Sequence, residues 1–353
     1  MKKKNLLFST LTTALAIIIS LLIAIVIIVI VSDNPGKAFH AFIFGPFKSK
    51  RMIGSILTTA IPITFTGLAV CVMFQASMFN MCAEGGFFLG ALSAAGVAAC
   101  VELPGILGLI IPMLAGTITG MILAFIPAVL KAKLGASEMV SSLMLNYVAL
   151  YLGLYVLNYH LRDQSFGALA TKVLPENSII PIMISKTSVH YGIVLAIIAI
   201  VICYLFIYKT KTGHRIRVMG QNSKFAKYAG INVAGVIIIS QIIGGGLAGL
   251  GGAVEVMGMY NRFQWTSLPG YGWDGITLAI LARNKPQFIP IAAIFLAYIR
   301  VGASTMASGS NVPKELITVI QAIMILLVTA SALLDGIKKR MIVKEAMKNG
   351  SAS

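Results

Sequence analysis

The strongest constraint on this chain is a succession of long apolar runs joined by short polar and basic connections. The first, Phe8 to Val31, has 24 residues without a charge. A helix rises 1.5 Å per residue, so about 20 apolar residues cross a hydrocarbon core of ~30 Å. Hydrophobic residues make up 58% of the 353 positions and charged residues 11%, a balance that excludes an ordinary soluble domain. Lys2, Lys3 and Lys4 before the first run resemble the start of a signal peptide. The run is too long for a signal core and no small-x-small cleavage site follows, so a retained first span is expected.

Ten spans are expected, at about 8–31, 54–74, 86–101, 105–130, 142–159, 190–208, 231–253, 272–283, 287–303 and 315–334. The third and eighth are short. Glu84-Gly85 opens one and Asp274-Gly275 the other, a faint internal echo of the kind found in inverted-repeat transporters. With the N-terminus inside, cytoplasmic segments carry 18 basic residues and outer segments 9, which places both ends in the cytoplasm. Lys37, Lys48, Lys50 and Arg51 sit on the outer side of this scheme and fit it poorly. The expected organisation is one transmembrane domain over 1–353. It has cytoplasmic tails at 1–7 and 335–353, an outer loop at 160–189 and a connector at 209–231.

The net charge of +17 lies in short loops and tails, as topology-setting charge does, and gives no basic face for a nucleic acid polymer. Cys71, Cys82, Cys100 and Cys203 lie in or beside apolar runs without CxxC or histidine at ligand spacing, so no metal site is expected. The glycine-rich run Gly244 to Ala253 has no Lys-Ser/Thr after it and is not a nucleotide-binding loop. No nucleophile, base and orienting group occur together, so no catalytic residue is assigned.

The connector KTKTGHRIRVMGQNSKFAKYAGI, residues 209–231, is much longer than a turn needs. Asn222-Ser223 and Gly230 are start and stop signals for a short surface helix at about 223–229. A helix displayed at a membrane face is a docking element. Its candidate residues are Gly213, Arg215, Arg217, Gly220, Asn222, Ala226, Lys227 and Gly230. The basic ones could pair with an acidic partner or be solvated positive-inside charge.

Glu84, Glu255 and Asp274 lie in or beside apolar runs, where a carboxylate needs a partner or an aqueous cavity. One reading places them on a polar pathway with Asn80, Asn146 and Gln241. The other makes Glu84 and Asp274 first-turn helix residues favoured by the helix dipole. Arg300 is a candidate partner inside the ninth span. Tyr147, Tyr151, Tyr155, Trp265, Tyr271 and Trp273 could stack on a ring-shaped substrate or anchor the chain at the interface. Gly86-x3-Gly90, Gly116-x3-Gly120 and Gly245-x3-Gly249 place small residues one turn apart, the pattern of close helix packing.

Four stretches together resemble the permease subunits of bacterial ABC importers for simple sugars and branched-chain amino acids, in particular their nucleoside branch served by BMP-type binding lipoproteins. They are FNMCAEGGFFLGA (79–91), GASEMVSSLMLNYVALYL (135–152), TGHRIRVMGQNSKFAKYAGI (212–231) and GYGWDGITLAILARNKP (270–286). Cys82 stands where the family often has Gly, and Gly86 where it often has Gln. The resemblance implies an all-α type II importer permease with about ten spans in two inverted-repeat-like halves. It also implies a cytoplasmic ABC ATPase on the connector and a substrate-binding lipoprotein outside. A second permease completes the assembly, a heterodimer being favoured over a homodimer. ATP and magnesium would belong to the ATPase, with no cofactor on this chain. On this reading Asn80, Glu84, Asn146, Tyr147, Gln241, Glu255, Trp273 and Asp274 are the pathway candidates. Nucleosides are the expected substrate, with ribose- or galactose-type sugars as the alternative. An ion-coupled transporter using Glu84 or Asp274 is the alternative from a different class.

Overall fold

A computed structural model describes residues 34–101 and 104–309, so the expected first and tenth spans and both tails lie outside the described residues. These residues are mostly helical, with two isolated bridges, Arg162 to Thr171 and Ile182 to His190, and no strand among them. They fall into two compact units divided at Lys48–Ser49 and Tyr298–Ile299.

In chain order the helices are α1 (Pro35–Phe44), α2 (Lys50–Gln75), α3 (Ala83–Cys100), α4 (Leu107–Leu134), α5 (Glu138–Val156), α6 (Gly192–Lys209), α7 (Lys211–Gln221), α8 (Ser223–Tyr228), α9 (Val233–Gly258), α10 (Tyr271–Leu281) and α11 (Ile289–Gly309). Among the described residues, seven segments are long and apolar enough to cross a membrane: α2, α3, α4, α5 with its π-turn to Leu161, α6, α9 and Pro286–Ser308. They account for seven of the ten expected spans. The eighth, expected at 272–283, is α10, whose 11 residues cover only about half a hydrocarbon core.

The core of the larger unit is the junction of α3, α4 and α9, made by the small residues singled out in the sequence. A methyl group at Gly90 would lie 2.5 Å from the Gly249 backbone, and one at Gly120 would overlap the Gly245 carbonyl. At Gly116 it would meet the Gly90 carbonyl at 2.8 Å. Backbones therefore touch where lipid supplies no hydrophobic drive for association. The pairing Gly86 to Gly245 and Gly90 to Gly249 makes α3 and α9 parallel, while Gly120 to Gly245 and Gly116 to Gly249 make α4 antiparallel to both.

Opposite the connector end, segment 162–191 folds over the end of α9. Ile180 N–H donates to the Met257 carbonyl at 2.8 Å, and Thr171 N–H to that of Phe263 at 2.9 Å. His190 is fully buried there, its Nδ1 accepting from Gly192 N–H at 3.1 Å with the ring against Gly258. In the smaller unit Gly45 packs on Thr305 and Gly302 on the Phe42 carbonyl. Arg300 belongs to this unit.

Candidate functional site

Glu84 in the first turn of α3 is 1% exposed. Its Oε1 accepts from Gly270 N–H at 2.6 Å and its Oε2 from Gly272 N–H at 2.5 Å. Gly270 has φ of +85°, the left-handed conformation that glycine tolerates, and it opens α10. The carboxylate thus lies between the N-termini of two helices, where free N–H groups and both dipoles favour a negative charge. Asp274 occupies the first turn of α10, as Glu84 does in α3.

The depth of this junction follows from α2. Gly275 packs on the Thr66 backbone, Gly67 on the Leu278 side chain, and Gln75 Nε2 donates to the Asn284 carbonyl. The half-length helix α10 therefore lines the half of α2 nearest the connector, and its N-terminus sits near the α2 midpoint. A cluster of rings lies next to it. Phe87 stacks on Trp265 at 5.7 Å and meets Tyr271 at 4.9 Å, and Tyr271 Oη donates to Glu255 at 3.2 Å.

Asn146 on α5 anchors the α3 start, its Oδ1 accepting from Gly85 N–H and its Nδ2 donating to the Met81 carbonyl, both at 3.0 Å. Ser142 Oγ accepts from Met81 N–H at 2.9 Å, and Asn80 Oδ1 accepts from Cys82 N–H at 2.7 Å. The structure thus gathers Asn80, Glu84, Asn146, Glu255 and Asp274 around the α3 and α10 starts, mostly as holders of backbone. Gln241 lies buried on α9, its Nε2 on Ser240 Oγ at 3.3 Å. Tyr147 and Trp273 are exposed and do not belong to this buried group.

The connector is more structured than expected. The short helix forms as the caps indicate: Asn222 Oδ1 accepts from Phe225 N–H at 3.0 Å, and Gly230 has φ of +76°. Gly230 N–H donates to the Lys227 carbonyl and Ile231 N–H to that of Ala226, a closing motif that satisfies both end carbonyls. A second helix, α7, precedes it where sequence reading expected only loop. Thr210 Oγ1 caps it at Gly213 N–H, 3.0 Å away, and Gly213 lets it tuck under the Phe206 and Ile207 carbonyls. Its amphipathic spacing, Gly213, Ile216 and Met219 inward, was hidden by the polar residues between them.

Both connector helices sit on an apolar seat in which Ala76, Ile216, Met219, Ala226, Val236 and Ile237 are buried. Ser77 Oγ donates to the Gly220 carbonyl at 2.6 Å, tying α7 to the end of α2. Lys131 and Glu138 form a 2.9 Å ion pair between α4 and α5 at the connector end. Phe225, 61% exposed, and Tyr228, 92% exposed, project from α8. Sequence reading missed these two. The available signal was large aromatics on a helix of six residues whose one buried side chain is Ala226.

A multi-pass helical bundle with a half-length helix starting inside it and a helical connector at one end is the architecture of a polytopic membrane protein. Residues 52–329 match the family described as Branched-chain amino acid transport system / permease component, and the chain belongs to that family. It is a transport subunit rather than an enzyme. It is 32% identical over 311 residues to the glucose ABC transporter permease protein TsgB13 of Haloferax volcanii, covering 84% of this chain and 81% of that one. It is 28% identical over 324 residues to the guanosine ABC transporter permease protein NupP of Bacillus subtilis, covering 91% and 93% respectively. The nucleoside ABC transporter permease protein NupB of Lactococcus lactis subsp. cremoris is 32% identical over 152 residues, 42% of this chain and 41% of that one. No solved structure matches the chain.

Proposed function

We propose that this chain is the permease subunit of an ATP-driven ABC importer that carries nucleosides into a bacterial cell. Residues 1–353 form one transmembrane domain of the type II kind, with about ten spans in two inverted-repeat-like halves and both ends cytoplasmic. The observation that carries this reading is the connector: two capped helices seated on a buried apolar base, with Phe225 and Tyr228 facing outward. The base makes α8 rigid with respect to α7 and α9, so a push on its outer face moves those helices as a body. A separate cytoplasmic ATPase docks there and supplies the ATP chemistry. A second, related permease forms the pathway with this chain as a heterodimer, and a lipoprotein delivers the substrate.

Two of the three relatives described are named for guanosine or nucleoside, which supports the substrate class. The glucose-named relative, 32% identical, favours a simple sugar as the second reading. The two are separated by reconstituting the chain with the ATPase, second permease and binding protein that co-purify with it, then supplying labelled guanosine or glucose. ATP-dependent guanosine uptake is expected; uptake of glucose alone overturns the nucleoside assignment. Against the ion-coupled alternative, both Glu84 oxygens already accept from backbone N–H groups, which leaves Asp274 as its candidate ion site.

A further inference from the structure

The α6–α7 junction encloses an open pocket of about 460 Å³ lined by Lys209, Lys211, His214, Arg215 and Arg217, with no acid in its wall. Thr210 at its base caps α7 and leaves that helix's first turn beside the basic side chains. The Arg217 guanidinium lies 5.2 Å from the Tyr208 ring centroid, and its buried Nε has no hydrogen-bond partner among the described residues. Directly along the chain, α6 exposes Ile198, Val201, Ile202 and Leu205. An apolar flank of a helix long enough to cross a membrane thus ends at an open pocket whose charged side chains are all basic.

We infer that this pocket binds the phosphate headgroup of an anionic phospholipid, whose acyl chains lie along the exposed flank of α6. The continuity of flank and pocket favours a lipid over free phosphate, because a small anion gains nothing from the apolar surface. Each basic residue near a membrane surface adds attraction to anionic lipid, and a helix N-terminus adds N–H donors for phosphate. The pocket is built from α6 and α7, whereas the docking aromatics stand on α8. A bound lipid would brace the connector against the bilayer at its α6 root. Placing this lipid in the cytoplasmic leaflet rests on the proposed orientation. The binding itself does not depend on it.

The test is lipid retention by the purified full-length chain, measured by native mass spectrometry after exposure to phosphatidylglycerol or phosphatidylcholine. The chain should retain phosphatidylglycerol preferentially. Lys209→Gln with Lys211→Gln should weaken that retention roughly thirtyfold. Lys224→Gln with Lys227→Gln removes the same charge outside the pocket and should leave retention unchanged. Lys209→Arg with Lys211→Arg should preserve it, which separates loss of charge from misfolding. Equal retention of the two lipids, or equal loss in both glutamine pairs, overturns the proposal. So does full displacement by glycerol phosphate, which would make the site one for a soluble anion. No ATPase is present, so failure here leaves the transport reading untouched and success does not depend on it.

Discussion

At the residue scale, the position that most controls the architecture is Glu84. Its two oxygens satisfy backbone donors 186 and 188 residues away, at Gly270 and Gly272. Glu84→Ala would leave buried N–H groups without acceptors, at about 1–3 kcal/mol each. The expected outcome is a loss of roughly 3 kcal/mol, measured by denaturant titration in detergent. Glu84→Gln keeps an acceptor oxygen and should lose less. Equal stability of wild type and Glu84→Ala would show that the junction does not hold the two helix starts together. The acid itself was legible in the sequence, since a buried charge in an apolar run signals a special role. Its partners were not, because nothing local ties position 84 to position 270. Asn146 was likewise visible as an odd polar residue, but its use as a brace for Gly85 depends on a tertiary contact. The glycine spacing was readable as a packing feature, because small residues one turn apart have few other uses in a membrane helix; which helices it joins was not.

At the element scale, the connector divides what sequence could and could not give. The short helix α8 was readable because its Asn cap and left-handed glycine are local signals. α7 was not, because its buried face appears only as three small or apolar residues among charges. The structure also separates two of the candidate docking residues. Ala226 is fully buried in the seat, whereas the Cβ position at Gly230 meets open space. Ala226→Leu should therefore unseat α8, while Gly230→Ala should cost only backbone strain, on the order of 1 kcal/mol. Phe225→Ala with Tyr228→Ala touches neither seat nor caps. Exposed aromatics that bury in a partner often carry more than 2 kcal/mol. That double variant should lose ATPase binding tenfold or more by pull-down titration, with its amount in the membrane unchanged; undiminished binding would remove α8 as the docking surface.

The segment opposite the connector carries a pH response. Burial of His190 lowers its pKa from the ordinary 6.5 to about 4, so the folded chain holds it neutral. Below pH 6.5 the unfolded chain takes up a proton that the folded one refuses. Stability from this group is full above pH 6.5 and declines as pH falls towards 4, by at most about 3 kcal/mol. Thermal unfolding at pH 7 and 4.5 should show the drop, and His190→Asn should reduce it. The same drop in both proteins would assign the acid sensitivity to other groups.

At the scale of the whole molecule, the question is where the work comes from. Of the two acids that an ion-driven transporter would use, Glu84 already accepts from two backbone N–H groups, while Asp274 stands in the first turn of α10. The part of the larger unit proposed to receive an outside force is the connector, whose α7 and α8 pack on the ends of α2 and α9 through the apolar seat. Family membership and this placement point the same way, towards transport powered by a companion rather than by a stored gradient. In vesicles holding the complete importer, uptake should survive ionophores that collapse proton and sodium gradients while ATP is supplied, and should stop when ATP is withdrawn. The purified chain alone should accumulate nothing, and restoring the ATPase without the α8 aromatics should restore little. Accumulation by the single polypeptide would mean that an ion site exists within the bundle and that the connector serves some other purpose.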